Sequence, residues 1–219
     1  MKLSAVTLAR VLAFIETFDL GSGGKVFYPD LIAALVERFR FQTFPQKAED
    51  LDEKKGVKFL EGQWNGVSVP KVEIYWNALI LDTQSSTSES ERILQEALVW
   101  VSEKFKLNYS PTMISRRRYL SNLTFYSDQN VLGSNPAIPK LTSSLHDKLK
   151  EITGHDLTYE ATRLDLDFCR HDRQIPVAIF TIQRRIETPF SENKYYSEAP
   201  LPTDLHYELL EEFEADLKK

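Results

Sequence analysis

Cysteine occurs once in the 219 residues, at Cys169, so neither an internal disulfide nor a cysteine-based zinc site can form within the chain. Long apolar runs are missing as well. The longest, around Val11 to Ile15, falls far short of the ~20 residues that a membrane-spanning helix needs. The N-terminal MKLSAVTLAR has neither an extended apolar core nor a cleavage-site pattern. These absences predict a cytoplasmic protein with no membrane association. The four histidines (His146, His155, His171 and His206) show no HxH or HExxH spacing, which argues against a histidine-rich metal site. A GxSxG nucleophile elbow is absent too. Gly21-Ser22-Gly23-Gly24-Lys25 invites a phosphate-loop reading but lacks the four-residue spacer and has Val26 where a hydroxyl belongs; it reads as a flexible connection.

An excess of positive charge is also lacking. Residues 1–113 carry 13 basic and 15 acidic side chains, residues 114–187 carry 11 and 9, and residues 188–219 carry 3 and 8. The net charge of −5 is thus that of the last stretch, and a chain-wide basic surface for nucleic acid is excluded, although a local arginine patch is not. With 42% hydrophobic and 27% charged residues, the chain has the composition of a folded globular protein rather than a disordered one.

Residues 8–18 read as a strand, from their β-branched and aromatic content and the glycines that follow. Pro29 suits a first helical turn, and Leu31, Ile32, Leu35 and Phe39 recur at helical spacing. Residues 57–83 read as short antiparallel strands with turns at Glu61-Gly62, Asn65-Gly66 and Trp76-Asn77. Ser88 with Glu91 suggests a capping box opening a helix. From Ile114 the pattern restarts with a strand. A helix over 139–153 follows, with stripe Leu141, Leu145, Leu149 and Ile152 closed by Gly154. After a hairpin, the proline-punctuated stretch Thr188–Pro202 reads as an extended surface crossing. Thr203 then caps a last helix with stripe Leu205, Leu209, Phe213 and Leu217. The expectation is one α+β domain over 1–219: an antiparallel or mixed β-sheet with about four helices packed on it. Its elements read as a pseudo-duplicated βαββα unit, at about 8–106 and 114–217.

The chemically suggestive stretch is Leu157 to Ile186. A turn near Asp172–Arg173 makes paired residue numbers sum to about 346, setting Leu164 opposite Ile182, Leu166 opposite Phe180, and Phe168 opposite Ala178. That apolar face is expected to be core. The other face carries Asp165 and Asp167, with Arg163 and Arg185 close by. Two carboxylates two residues apart can hold a divalent cation through their oxygens, which makes Asp165, Asp167 and His171 candidates for a phosphodiesterase or nuclease centre with Mg²⁺ or Mn²⁺. The opposing reading pairs the aspartates with Arg163 and Arg185 in a structural ladder, and on balance no cofactor or metal is assigned. Flanking carboxylates disfavour a thiolate at Cys169.

Arg116 and Arg118 on the strand after Ile114, with Arg163 and Arg185 on the hairpin, form a candidate anion-binding set for a nucleotide or nucleic acid, because guanidinium donates bidentately to phosphate. The opposing reading gives these arginines the carboxylates of the hairpin and of Glu208–Asp216 as partners. Phe190, Tyr195 and Tyr196 lie in a segment too short to hide them, so they pack back onto the sheet or anchor an interface. With many well-formed elements and no convincing catalytic constellation, the leading expectation is a non-enzymatic cytoplasmic protein-interaction or accessory subunit, for example of a bacterial multi-protein assembly, with a protein partner or a homo-oligomer. The metal-dependent phosphodiesterase and the arginine-lined binder are the alternatives.

Overall fold

The computed structural model describes residues 1–21, 28–168 and 177–218. In chain order the elements are β1 (Lys2–Phe14), α1 (Tyr28–Phe39), β2 (Val57–Trp64), β3 (Val67–Tyr75), β4 (Ala78–Thr83), α2 (Thr87–Phe105), β5 (Arg116–Tyr126), α3 (Ala137–Thr153), β6 (Arg163–Leu166), β7 (Phe180–Arg184), β8 (Lys194–Ala199) and α4 (Thr203–Asp216). The fold is α+β, with one eight-stranded antiparallel sheet in the order β2-β3-β4-β1-β5-β8-β7-β6. The order of elements reads βαβββα twice, one strand more per half than the sequence pattern predicts. In the second half the added strand is β8, inside the stretch expected to cross the surface as an extended loop. Tyr195, Ser197 and Ala199 alternate inward there, and the period of two pairs β8 with β7 (Thr181 opposite Glu198).

The chain forms two compact units. The first comprises Val6–Asn122 with Pro200–Asp204. Its core is built from the odd positions of β1 (Ala9, Val11, Ala13), with Phe59, Trp64, Val69 and Leu81 from the strands and Leu35, Phe39, Ile93 and Leu94 from α1 and α2. The even positions of β1 point the other way, where Arg10 grips Asp82 with two hydrogen bonds of 2.7 and 2.8 Å and Lys71 joins Glu73 at 2.8 Å. The Asn65-Gly66 turn forms with both residues at positive φ (48° and 85°), as a two-residue hairpin demands. The turn expected at Glu61-Gly62 does not form. Glu61 adopts φ 58° inside β2, flanked by the pairs Leu60–Lys71 and Gly62–Val69, and faces Pro70, which has no N–H to give to the ladder. Helix α2 starts earlier than the Ser88 signal suggests. Ser86 is the N-cap and accepts the Glu89 amide at 3.1 Å, while Glu91 turns to Arg117 (2.7 Å) and Tyr119 (3.1 Å).

Thr203 behaves differently from a simple cap. It is the first residue of α4, and its hydroxyl accepts the backbone amide of Thr87, the first residue of α2, at 2.9 Å; the Thr87 hydroxyl accepts the Thr203 amide at 2.9 Å. Each helix start satisfies a backbone donor of the other. Thr87 and Thr203 occupy the same place in the two βαβββα halves.

The second unit comprises Met1–Ala5, Leu123–Ala199 and Leu205–Lys219. The hairpin register is the expected one, with Arg163–Gln183, Leu164–Ile182, Asp165–Thr181 and Leu166–Phe180 paired. The expected core face is only partly buried. Ile182 is enclosed, but Leu166 is 56% and Phe168 43% exposed, because among the described residues nothing covers that end of β6. The inward face of α4 is also rotated from the apolar stripe. His206, Leu210 and Glu214 are buried, whereas Leu205 and Leu209 are exposed. Hydrogen bonds make this possible: His206 Nε2 lies 2.9 Å from Ser197 Oγ, and Glu214 binds the Met1 amine, the Ser127 hydroxyl and the Asp128 amide.

Candidate functional site

Asp165 sits mid-strand on β6, and its Oδ1 accepts from Arg163 Nε at 2.7 Å and from Thr181 Oγ1 at 2.8 Å. The Arg163 hydrogen bond, followed by that of Thr181, holds its carboxyl below the usual carboxylate range. Asp167 lies beyond the end of the strand, exposed, with Oδ1 on the Phe168 amide at 3.0 Å. Among the described residues no three His, Cys, Asp or Glu side chains come together in a metal-binding group. His171, Cys169, the Asp172–Arg173 turn and most of the glycine-rich turn at 21–25 lie outside the described residues.

The four arginines of the candidate anion set are divided among β5 (Arg116 and Arg118), β6 (Arg163) and the residue just past β7 (Arg185). β5, which carries Arg116 and Arg118, pairs with β1 and β8, whereas β6, which carries Arg163, pairs with β7. The sequence pattern could not show this, because it depends on which strands become neighbours. Arg116 and Arg118 lie over the Phe14 ring, 4.3 and 5.3 Å from its centroid, and Arg116 lines a cavity of about 590 Å³ with Glu16, Asp19, Asn77 and Met113. Arg185 is exposed just past β7, and its backbone amide donates to the Lys194 carbonyl.

Of the three aromatic residues, Tyr195 is fully buried, stacked on Phe125 at 5.6 Å with its hydroxyl 3.1 Å from Asn193 Oδ1. Tyr196 is half-buried and donates to Glu198 at 3.1 Å; burial first, then the charge of Glu198, pushes its hydroxyl above the ordinary tyrosine value. Phe190 is 39% exposed under the guanidinium of Arg184. Arg184 is one of the hairpin arginines, and it is itself buried. It shares the inward parity of Phe180 and Ile182, so its burial follows from the alternation that defined the core face.

The most unusual feature of this unit is α3. It forms where the pattern predicts and closes on Gly154 at φ 72° with its amide on the Lys150 carbonyl. Yet it buries no residue. Leu141 is 65%, Leu145 38% and Ile152 79% exposed, and the chain that follows exposes Leu157 and Tyr159 as well. By contrast α2 buries Ile93, Leu94, Ala97 and Leu98. An amphipathic helix gains its stability in water from packing its apolar face, so a face left open is an incomplete layer. No protein-family model matches the chain, and no curated protein matches it in sequence.

Proposed function

We propose that this protein is a non-enzymatic cytoplasmic interaction or accessory subunit whose contact surface is the open apolar face of α3 and the exposed end of the β6 strand. The observation that carries the reading is the stripe Leu141, Leu145 and Ile152, set at helical spacing on a helix that buries nothing. Contiguous apolar surface of this kind is uncommon on soluble monomers and marks protein contact sites. Leu166 and Phe168 are further exposed apolar side chains of the same unit. No helix among the described residues is long and apolar enough to cross a membrane, so the stripe does not read as a membrane span.

The double substitution Leu141→Lys/Ile152→Lys tests the reading. Neither side chain is buried, so circular dichroism and Tm should stay as in the wild type. Light scattering should show the wild type associating, with a second copy or with a co-expressed partner, and the variant failing to do so. A wild type that is strictly monomeric, and whose co-expression partners are recovered equally with the variant, refutes the proposal.

A further inference from the structure

A cluster of basic side chains lines a cleft in the Val6–Asn122 unit. A cleft of about 440 Å³ is lined by Arg38 and Arg40 at the end of α1, Lys104 at the end of α2, and Gln63, Asn65 and Gly66 at the β2–β3 turn, with Glu37 and Trp100 at its side. The position of Arg38 and Lys104 in last helical turns matches the helix dipole, which favours cations there. That accounts for each charge alone but not for their convergence on one cleft with Arg40.

The manner in which these cations are held decides the matter. Among the described residues none of the three forms a salt bridge, whereas Arg10, Arg92, Arg117, Arg163 and Arg184 all do. Arg38 instead lies over the Trp64 ring at 4.4 Å and the Trp100 ring at 5.9 Å, and Lys104 lies over Trp100 at 5.4 Å. An aromatic face fixes a guanidinium without neutralising it and without consuming its in-plane N–H donors, whereas a carboxylate does both. The nearby Glu96 carboxylate is already engaged by the Trp64 indole N–H at 2.9 Å and by Arg92. Gly66 adds a backbone at φ 85° with no atom within 4 Å of where a Cβ would stand, so a ligand can reach the turn unobstructed. Three cations against the single carboxylate of Glu37 leave a surplus of two positive charges, in a chain whose net charge is −5. A phosphate carries about −1.5 to −2 at neutral pH, with three acceptor oxygens.

We propose that this cleft binds a phosphate group, held by Arg38, Arg40 and Lys104 with the Gln63 and Asn65 side-chain amides as neutral donors. The arrangement can serve inorganic phosphate or the phosphomonoester of a small molecule, since a cleft of this volume is in the range of small-ligand sites.

Calorimetric titration at fixed ionic strength with inorganic phosphate and, separately, with adenosine monophosphate tests the site and tells its sources apart. Saturable binding to one site is expected. Arg40→Gln and Lys104→Gln should each weaken it about tenfold, the loss of one charge-assisted contact. Both side chains are exposed, so folding is kept, and Lys55→Gln, exposed and outside the cleft, should bind as the wild type does. Tighter binding of the monophosphate than of phosphate marks an organic phosphomonoester as the ligand class, and equal binding marks free phosphate. No saturable binding of either probe to the wild type, or undiminished binding to the Arg40→Gln/Lys104→Gln double variant, overturns the proposal.

Discussion

Removing the carboxylate of Glu160 should destabilise the Leu123–Ala199 unit by about 2 kcal/mol. Arg184 is 5% exposed, and its guanidinium donates to Glu160 Oε2 at 2.6 Å, Asn130 Oδ1 at 2.8 Å and the Phe190 carbonyl at 2.9 Å. It also lies 5.0 and 5.2 Å from the Phe190 and Tyr195 ring centroids. Leaving a buried charge without its counter-ion costs about 3–5 kcal/mol where both partners are enclosed. The Glu160 side chain is 31% exposed, so water already solvates part of it, and two neutral acceptors remain; both considerations reduce the cost to about 2 kcal/mol. In a chain of this length that corresponds to a fall in Tm of roughly 4–8 °C.

Urea unfolding of Glu160→Ala, Arg184→Met and the Glu160→Ala/Arg184→Met pair completes the cycle. Far-UV circular dichroism is the suitable signal, because Trp64, Trp76 and Trp100 all lie in the Val6–Asn122 unit and do not report on this one directly. The double variant should cost less than the sum of the single ones by about 2 kcal/mol, since removing both charges removes the unmet demand that each single variant creates. A loss below about 0.5 kcal/mol for Glu160→Ala, with no coupling, would show that the guanidinium is solvated like a surface arginine and would refute the reasoning.

Acid should act through Glu214. Burial alone would raise its pKa, but hydrogen bonds from the Met1 amine, Ser127 and the Asp128 amide outweigh that and hold it below the ordinary glutamate value. A depressed folded pKa contributes stability that is complete above the unfolded value and is lost as pH falls through the folded one. The Tm gap between the wild type and Glu214→Gln should therefore be full at pH 7 and shrink as pH falls below the ordinary glutamate range; a gap independent of pH would contradict the assignment. Gly56→Ala should cost about 1–3 kcal/mol in chemical denaturation, because Gly56 stands at φ 83° and an added Cβ would come 2.6 Å from the Tyr75 ring. Ser86→Ala should cost about 1 kcal/mol by the same measurement, through loss of the cap on the Glu89 amide. Excess Mn²⁺ should leave Tm unchanged, since Arg163 and Thr181 occupy the Asp165 carboxylate; a clear upward shift, lost in Asp165→Asn, would restore the metal-site reading.

Much of the architecture was legible in the sequence because it rests on local periodicity. The alternation Leu164, Leu166 against Phe180, Ile182 fixes the hairpin register, since a slip by one residue would turn every side chain to the other face. Asn65-Gly66 fixes a turn and Gly154 a helix end, because few residues other than glycine and asparagine adopt positive φ readily. Other features depend on partners distant in sequence. The apolar spacing of α4 points to Leu205 and Leu209, yet the buried face is that of His206 and Glu214, whose polar atoms find Ser197, Ser127 and the Met1 amine only once the strands are assembled. The candidate arginines of β5 and of the hairpin converge only if those strands are sheet neighbours, and the strand order puts β8 between β5 and β7. Arg38, Arg40 and Lys104 come from the ends of two helices and meet at a turn between two strands, a convergence that no spacing within the chain encodes. Sequence by itself marked most of the elements, β8 excepted, because hydrogen bonding and side-chain period act over a few residues. Tertiary structure decided which faces are closed, which charges are paired and which stay open to a ligand, because those depend on what the rest of the chain brings alongside.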